Sequence, residues 1–347
     1  VNRYKTIYSA INLDNLDISL NKDLEKKDNY YTASFTLKAT TIAGELNLTN
    51  FDVDIYKEED NYLINWDESL IFPNMIKDDK VYVRTTNHSR GKILDRDGNI
   101  LAEDGTISVV GMQANIYKKA LDYRNSKITE LANTLDISED TIISKLDANT
   151  DPELFVPIVS ITTTDEKLQT LTNRNEEGIL INTKTSRVYY GGEAFGRLIG
   201  YVGAITAEEL ENKNDYSYTS TSLIGKAGIE SVYEDTLRGE DGAEIYIKRG
   251  SDEISILKKE VINGEDIKLT IDSTLQNNSY TQLNGEKGAV TAVDPISGEV
   301  LALVSSPSYD SNMFTTYVTK TKAAEREANN YTDTVNRFSK TYAPGST

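Results

Sequence analysis

The feature that most constrains this chain is a regular alternation of apolar and polar residues between Leu16 and Trp66. The apolar residues fall at every second position in four runs: Leu16, Ile18, Leu20; Tyr31, Ala33, Phe35, Leu37; Phe51, Val53, Ile55; and Tyr62, Ile64, Trp66. A period of two is typical of a β-strand with one buried face. The short polar connections at Glu25–Asn29 and Glu58–Asn61 favour antiparallel pairing of neighbouring strands. Residues 1–76 are therefore predicted to form a small α+β module that begins with a short helix, Tyr4–Ala10.

The apolar face of such a sheet needs a cover. Three or four strands share this face, and one short helix can cover only a small part of it. We therefore expect helices that precede Val1 to supply the remaining cover.

A second region, predicted to begin near Lys77, contains charged loops, glycines and short helical patterns. Asp136 with Glu139, and Thr206 with Glu209, have the spacing of a cap followed by an acidic residue at the third helical position. Between Gly225 and Gly239, helical spacing predicts one helix with an apolar face made of Ile229, Val232, Tyr233 and Leu237.

A third region is predicted to begin with a strand at Asp266–Asp272, followed by a helix that ends at Gly285. Two apolar runs, Val290–Val293 and Val300–Val304, then flank the turn sequence Asp294–Gly298. This pattern predicts a hairpin whose strands both lie centrally in a sheet. The chain is thus predicted to be a multidomain α+β protein with modules at residues 1–76, 77–265 and 266–347.

Composition excludes several classes of function. The chain has 37 Lys+Arg against 55 Asp+Glu, a net charge of −18, which disfavours binding to nucleic acid and to anionic membrane surfaces. It has no cysteine, which excludes thiol catalysis and thiolate metal sites. His88 is the only histidine, and we predict that it is an ordinary surface residue. No cofactor or metal is expected.

Two short motifs resemble ligand loops but lack required residues. Asp95–Asn99 would need glycine at position 100 and glutamate at position 106 to form a calcium loop, so a turn is predicted. Gly225–Lys226 lacks the first glycine and the final hydroxyl residue of a phosphate loop.

The end of the sequence carries the candidate nucleophile. The run Pro344-Gly345-Ser346-Thr347 is by itself typical of a turn that leads into a helix N-terminus. A serine at that position would have unpaired backbone N–H groups and the helix dipole available to stabilise an alkoxide. A lysine three residues later would lie one turn along the same face and could accept the serine proton. That position, 349, follows the last residue of the sequence.

Several stretches, taken together and in this order, resemble the class B penicillin-binding proteins. Three stretches resemble motifs of the family's pedestal (dimerisation) domain: Arg90–Gly98 with Leu101–Ala102, Leu198–Gly203, and Gly225–Glu230 with Leu237–Gly239. Two further stretches resemble the start of the transpeptidase domain: Leu269–Asp272 with Leu275–Gln276, and Ala292–Pro295 with Gly298–Ala302. The last two stretches, Asn336–Phe338 and Tyr342–Thr347, resemble the residues that precede and begin the SxxK nucleophile motif. Trp66–Pro73 resembles the join after the cone-shaped, nuclear transport factor two-like domain of low-affinity members of the methicillin-resistance type.

The resemblance implies a fold in three parts: a cone-like N-terminal α+β module, an extended pedestal, and the start of a β-lactamase-like serine transpeptidase domain. It implies that Ser346 attacks the D-Ala–D-Ala amide of a peptidoglycan stem peptide and is acylated by β-lactam antibiotics, with a possible contribution to resistance. Thr347 is interpreted as a plain helix residue, and Ser305, Ser308 and Ser339 are not expected to replace Ser346.

The same resemblance implies partners and a location. Other cell-wall synthesis proteins are expected partners, and nucleic acid is not. A membrane anchor is expected before Val1, which would place the protein on the extracytoplasmic face of the cell membrane. Because the lysine and the later motifs lie after Thr347, the 347-residue chain alone is expected to be inactive.

Two alternatives stay open at this point. The first is a non-catalytic wall-binding scaffold or β-lactam sensor, which the residue at position 349 would distinguish from an enzyme. The second is a serine β-lactamase or sensor, which the long pedestal between Lys77 and Gly264 disfavours.

Overall fold

The computed structural model describes residues 2–59, 61–149, 151, 153–174, 177–213, 218–328 and 335–341. Within these ranges there are ten α-helices, α1 to α10: Asn2–Ala10, Leu121–Leu135, Glu139–Asp147, Glu166–Arg174, Gly192–Ile199, Ala207–Asn212, Gly228–Val232, Glu234–Leu237, Ser273–Leu283 and Lys320–Ala328. The same ranges contain nineteen strands, β1 to β19: Asp14–Leu20, Glu25–Lys26, Tyr30–Thr41, Gly44–Glu58, Asn61–Ile64, Lys80–Thr86, Ile93–Leu94, Ile100–Gln113, Phe155–Thr162, Ile179–Tyr189, Tyr201–Ala204, Leu223–Ala227, Gly239–Glu240, Gly242–Arg249, Asp252–Lys259, Ile262–Asn263, Ile267–Lys268, Gly288–Val293 and Val300–Ser306.

The chain folds into two compact units. The first comprises Val1–His88, Asn214–Ser217 and Gly239–Asn263. The second comprises Ser89–Lys213, Tyr218–Arg238 and Gly264–Thr347. The mixed α+β fold agrees with the predicted fold class, whereas the predicted boundaries at residues 76 and 265 stay a prediction.

The first unit contains the predicted N-terminal sheet, with strand order β1-β3-β4-β5 and β2 beside β3. Its strands are antiparallel, and the register pairs Ile18 with Leu37 and Ile55 with Ile64. Directly opposite residues share a face, so the alternating apolar residues of all four runs lie on one side of the sheet. The prediction of strands with a common apolar face is confirmed.

Burial of that face is uneven. Its centre is packed, because Leu37 and Phe51 lie in a cluster with Ile7 and Ile11 of α1 and of the residue after it. The margins of the face are exposed, as in β1, where Ile18 is 58% exposed. The prediction of burial therefore holds for the central strands but is wrong for the two edge strands β1 and β5, whose residues are all exposed.

A second sheet of the first unit comes from chain segments far apart in sequence. Its order is β15-β14-β6, and all its pairs are antiparallel. The inward side chains Ile245 and Ile247 are fully buried, in the same cluster as Phe51 and Phe72. A shared apolar core therefore joins the strands after residue 77 to those before it.

The second unit is organised on the long strand β8. β10 pairs with β8 along its whole length, while β7 and β9 pair with opposite ends of its other edge. β17 lies parallel to β7, with Ile267 opposite Ile93. The predicted strand at Asp266–Asp272 is thus shorter than expected, because only two of its residues have a strand partner.

The cap prediction for α3 is wrong, whereas the one for α6 is confirmed. α3 begins after Ser138, whose side chain accepts a hydrogen bond from the backbone N–H of Thr141. Asp136 instead ends α2 in the left-handed conformation, with φ of 53°. At α6, Thr206 and Glu209 form a complete capping box.

The region between Gly225 and Gly239 does not form the predicted single helix. Strand β12 ends at Ala227, and two short helices, α7 and α8, follow with a break at Tyr233. At that break Tyr233 has ψ of 29°, which turns the chain out of the helical path. As a result Leu237 is buried while Val232 is 77% exposed.

The predicted helix and hairpin of the third region are confirmed. α9 is capped by Asp272, whose carboxylate accepts a hydrogen bond of 2.9 Å from the backbone N–H of Leu275. β18 and β19 pair antiparallel around the turn. Each pairs with the other alone among the described strands, so their central position stays a prediction.

No helix in the described ranges is long and apolar enough to span a membrane.

Candidate active-site approach

The predicted nucleophile, Ser346, lies outside the described residues, as does the rest of Tyr342–Thr347. Its role therefore stays a prediction. The structure does describe the preceding residues 335–341, here called the approach segment, and the elements that hold it.

The approach segment is fixed to the end of β19. The backbone N–H of Arg337 donates a 2.9 Å hydrogen bond to the side-chain oxygen of Ser305, which is buried. Phe338 packs against the apolar cluster that contains Phe195 and Leu198 of α5. Ser305 thus serves as an acceptor that positions the chain before the predicted nucleophile.

β19 is itself held by one buried amide, that of Gln276 on α9. Its Nε2 donates to the carbonyl oxygens of Ala194 and Leu303 at 2.8 and 2.9 Å. Its Oε1 accepts from the backbone N–H of Leu303 at 2.7 Å. Because both ends of the side chain are hydrogen-bonded, Gln276 joins α9, α5 and β19 without leaving a buried polar atom unpaired.

Residues 310–328, here called the strap, lie in the chain between β19 and the approach segment. They contact β9, β10 and the end of α2. The side chain of Asn312 clamps the backbone of Tyr189, donating to its carbonyl at 2.7 Å and accepting from its N–H at 3.0 Å. Tyr317 donates its hydroxyl to the carbonyl of Leu135 at 2.8 Å and its backbone N–H to Ser160 at 3.0 Å. The strap is therefore bound at the ends of β10, α2 and β9.

The start of α10 completes this attachment. The backbone N–H of Lys320 donates to the carbonyl of Asp136 at 2.7 Å, and that of Thr321 donates to its carboxylate at 3.0 Å. Hydrogen bonds from Thr321 hold the pKa of Asp136 below its usual value. The aspartate predicted to cap α3 therefore caps a helix about 180 residues later in the chain.

A cluster of buried charges lies beneath the pedestal motifs. The carboxylate of Glu230, with no exposed surface, accepts from Arg90 Nε and from Arg187 Nε, both at 2.7 Å. Arg90 also donates to Glu234 at 2.7 Å, and Arg187 lies 3.4 Å from Asp104. Burial works against the charge of Arg90, but the two glutamates outweigh it and raise its pKa.

This cluster has a structural character, since both oxygens of the Glu230 carboxylate and one oxygen of the Glu234 carboxylate bind the two arginines. No group of His, Cys, Asp and Glu in the described part of the chain has the arrangement of a metal site. Arg187 also donates to the carbonyl of Gly91 at 2.8 Å. A Cβ at Gly91 would lie 1.9 Å from the carbonyl oxygen of Glu265, so only glycine fits this approach of the two chain segments.

The motifs that were set aside as ligand loops have structural partners. The Asp95 carboxylate accepts from the backbone N–H groups of Asp97 and Asn99 and from Ser273 Oγ, and so closes the predicted turn. Gly225 N–H donates to Glu234 inside strand β12. His88 lies 2.6 Å from Asp241 through Nδ1, with its side chain 21% exposed.

Three positioning residues were not found from the sequence: Arg187, Gln276 and Asn312. Arg187 stands in a strand between Ser186 and Val188, and nothing local to it indicates that Glu230 will face it. Gln276 lies on a helix of weak amphipathicity, while Asn312 comes two residues after Asp310 in what resembles an ordinary turn. Their partners are 43, 27 and 123 residues away, and local patterns carry no record of such distances.

Comparison with protein families gives three matches in order along the chain. Residues 1–79 match an NTF2-like N-terminal transpeptidase domain. Residues 85–269 match the penicillin-binding protein dimerisation domain, and residues 288–347 match the penicillin-binding protein transpeptidase domain. Ser346 falls within the third match.

Comparison with individual proteins agrees. The chain is 37% identical to penicillin-binding protein 3 of Bacillus subtilis over 100% of its own length and 52% of that protein's. It is 32% identical to the peptidoglycan D,D-transpeptidase MrdA of Acinetobacter baumannii, over 75% of its length and 39% of that protein's. The chain thus spans about half, or less, of the length of these relatives.

A solved structure shares the fold. It is the penicillin-binding protein PBP2 of Helicobacter pylori, determined in complex with MreC. The TM-score is 0.50 at 20% identity, covering 74% of this chain and 48% of that one.

Proposed function

The chain belongs to the class B penicillin-binding proteins, and on that basis we propose that it supplies the pedestal and the nucleophile of a peptidoglycan D,D-transpeptidase. The observation that carries this proposal is the order of the three family matches, the last of which contains Ser346. The anchoring of the approach segment on Ser305 supports it, because a nucleophile must be held in a fixed position.

In the proposed reaction Ser346 Oγ attacks the carbonyl carbon of the D-Ala–D-Ala amide of a stem peptide. The Oγ–C bond forms, the C–N bond breaks, and the terminal D-Ala leaves as an amine that carries the proton. An amine of a neighbouring strand then attacks the ester and releases the serine. In the family pattern the lysine three residues after the serine takes and returns its proton.

β-Lactam antibiotics would react at the same atom. Attack of Ser346 Oγ on the lactam carbonyl opens the ring, and the ring nitrogen takes the proton while remaining attached to the acyl group. With a penicillin no part of the antibiotic departs, so the adduct retains the whole mass of the drug. This makes covalent labelling a direct measure of the nucleophile.

The proposal includes the surroundings in which this chemistry takes place. The partners are stem peptides and other cell-wall synthesis proteins, and a membrane anchor before Val1 places the protein outside the cytoplasm. A contribution to β-lactam resistance is part of the same proposal.

The test uses a chain extended to the length of its relatives, with wild type, Ser346→Ala and Ser339→Ala compared by intact-mass spectrometry after exposure to a β-lactam. We expect one adduct in wild type and in Ser339→Ala, and none in Ser346→Ala. Loss of a helix-capping serine costs at most ~1–2 kcal/mol, so the variant should fold. The 347-residue chain should remain unlabelled.

An adduct that persists in Ser346→Ala, or that maps to another serine, would contradict the assignment. Labelling at Ser346 without transfer of an acyl group to an added amine would instead identify a sensor. The first outcome is read from the intact-mass spectra, and the second from a parallel reaction with a D-Ala–D-Ala peptide and an added amine.

A further inference from the structure

The chain contains the dipeptide asparagine–glycine at two places. One is Asn263–Gly264, at the end of β16, and the other is Asn284–Gly285, between α9 and β18. Asparagine is a chemically labile residue, and a following glycine leaves its own amide nitrogen accessible because it has no side chain. The two dipeptides have the same intrinsic chemistry, so any difference between them comes from the fold.

The reaction open to such a dipeptide is deamidation. The glycine nitrogen, after losing its proton, attacks Cγ of the asparagine side chain. The N–Cγ bond forms, the bond between Cγ and the side-chain nitrogen breaks, and ammonia leaves. Water then opens the cyclic imide at one of its two carbonyls, which gives aspartate or isoaspartate. A glycine whose N–H is hydrogen-bonded in a packed backbone can make this attack only after local opening.

Gly264 is restrained in this way. Its N–H donates a 2.8 Å hydrogen bond to the carbonyl oxygen of Ser89. A Cβ at this position would lie 1.8 Å from the carbonyl oxygen of Leu237, so two backbone segments are in close contact here. Asn263 is paired with Gly239 in the antiparallel strands β13 and β16. The Asn263 side chain is exposed, but its backbone is not free to rearrange.

Gly285 lacks these restraints. Asn284 ends α9 in the left-handed conformation, with φ of 46° and ψ of 41°, and both residues are exposed. Among the residues that the structure describes, the Gly285 N–H has no acceptor and the Asn284 side chain has no hydrogen-bond partner. Helix ends open more readily than paired and packed backbone. The Gly285 nitrogen can therefore reach Cγ of Asn284 at a small cost in free energy.

We propose that Asn284 is a site of spontaneous deamidation in the folded protein, and that the fold protects Asn263 from the same reaction. The only co-reactant is water, so the modification needs no enzyme. This inference is independent of the proposed acylation of Ser346, and its test involves neither a β-lactam nor a stem peptide.

The modification acts on the end of α9. Both products add a negative charge at the C-terminus of the helix, where the helix dipole is also negative. Isoaspartate in addition inserts one extra backbone atom at a residue whose N–H donates to the carbonyl of Thr281 at 3.0 Å. We therefore expect the last turn of α9, Thr281–Leu283, to exchange its amide hydrogens faster after modification.

The experiment incubates the purified chain at mildly alkaline pH, with and without urea, and follows deamidation by mass spectrometry of tryptic peptides. Trypsin separates the two sites, because Asn263 lies in the peptide Glu260–Lys268 and Asn284 in Leu269–Lys287. In the folded chain we expect Asn284 to react at least ~10-fold faster than Asn263. In urea the two rates should agree within about threefold, because the protection is lost. The proposal is overturned if Asn284 reacts no faster than Asn263 in the folded chain, or if the difference persists in urea.

Variants test the effect on α9. Asn284→Gly cannot deamidate and keeps a residue that favours the left-handed conformation. After the same incubation, amide exchange at Thr281–Leu283 should be faster in wild type and unchanged in Asn284→Gly. Asn277→Gln, which removes another asparagine of α9, is the matched control and should behave as wild type. Equal acceleration in Asn284→Gly, or none in wild type, would show that deamidation of Asn284 does not loosen the helix end.

Discussion

The margin of the N-terminal sheet and the ion cluster of the second unit invert the usual distribution of residues. In the sheet, Ile18 and Leu20 are 58% and 65% exposed, although they belong to a regular apolar pattern. In the cluster, Glu230 and Arg187 are almost fully buried although they carry charge. The comparison teaches that residue type predicts which face a side chain takes, while its neighbours determine whether that face is buried.

The physical reasons differ between the two regions. Ile18 belongs to an edge strand whose apolar face has no cover in the described residues, so it stays in water at a modest free-energy cost. Glu230 can be buried because two guanidinium groups replace the hydrogen bonds of water. The first arrangement tolerates change, and the second should not.

The largest expected effect comes from breaking the cluster with Glu230→Gln. Two buried guanidinium groups would lose their common carboxylate, which should lower the free energy of unfolding by about 3–5 kcal/mol. Urea denaturation followed by circular dichroism measures this change. Glu253→Gln is the control, because it removes an exposed partner of Arg84 and should have no measurable effect. Equal losses in the two variants would contradict the comparison.

The next effect compares two apolar residues that face each other across β1 and β3. Leu37→Ala should lower the free energy of unfolding by about 2–5 kcal/mol, because Leu37 is 4% exposed in the core. Ile18→Ala should change it by no more than ~0.5 kcal/mol. A comparable cost at Ile18 would contradict this expectation, because it would show that the margin is covered in solution.

A smaller effect is expected from Gln276→Leu, which replaces a buried neutral polar group by an apolar one of similar size. The substitution removes the three hydrogen bonds that Gln276 makes with the N–H of Leu303 and the carbonyl oxygens of Leu303 and Ala194, so the free energy of unfolding should fall by about 1–3 kcal/mol. Hydrogen exchange at the Leu303 amide should accelerate. If exchange there is unchanged, Gln276 does not hold β19. Leu275→Ala, at a half-exposed neighbouring position, is the control.

The smallest effect concerns an exposed carboxylate, Glu209. Hydrogen bonds from Lys226 and from the backbone of Thr206 lower its pKa from 4.5 to about 2. Because the pKa is lower in the folded protein, the ionised carboxylate stabilises the fold at pH values above about 4.5. That contribution is lost as the pH falls from about 4.5 through 2. An NMR titration of the Glu209 carboxyl carbon should give this pKa, and Lys226→Met should raise it toward 4.5. Lys184→Met should not shift it.

The regular parts of the fold were predictable because their signals are local. The alternation through Phe35 and Val53 located the strands and their common face, and the residues around Asp294 located the hairpin. The capping box of Thr206 depends on three neighbouring positions and was also predictable. Each of these features is determined within one or two turns of chain.

The rest depended on partners far away in sequence. Asp136 is a residue type that often caps the start of a helix. Its left-handed conformation at the end of α2 instead directs its carbonyl and carboxylate to the strap. The helix predicted through Val232 and Tyr233 starts only after strand β12 and breaks at Tyr233, whose ψ of 29° leaves the helical path. At the candidate site, motif order identified the family and predicted Ser346 as the nucleophile, whereas the anchoring by Ser305 required the folded neighbour.

The stitching of the strap also has a consequence for the order in which the protein folds. Tyr317 and Thr321 bind residues 182 and 185 positions earlier, at the end of α2. During synthesis from the N-terminus, α2 and β9 leave the ribosome long before these partners exist, and loop closure over such a distance is slow. We therefore expect α2 and β9 to fold before the strap binds to them. An unfinished protein would carry its supporting platform before it could position a nucleophile.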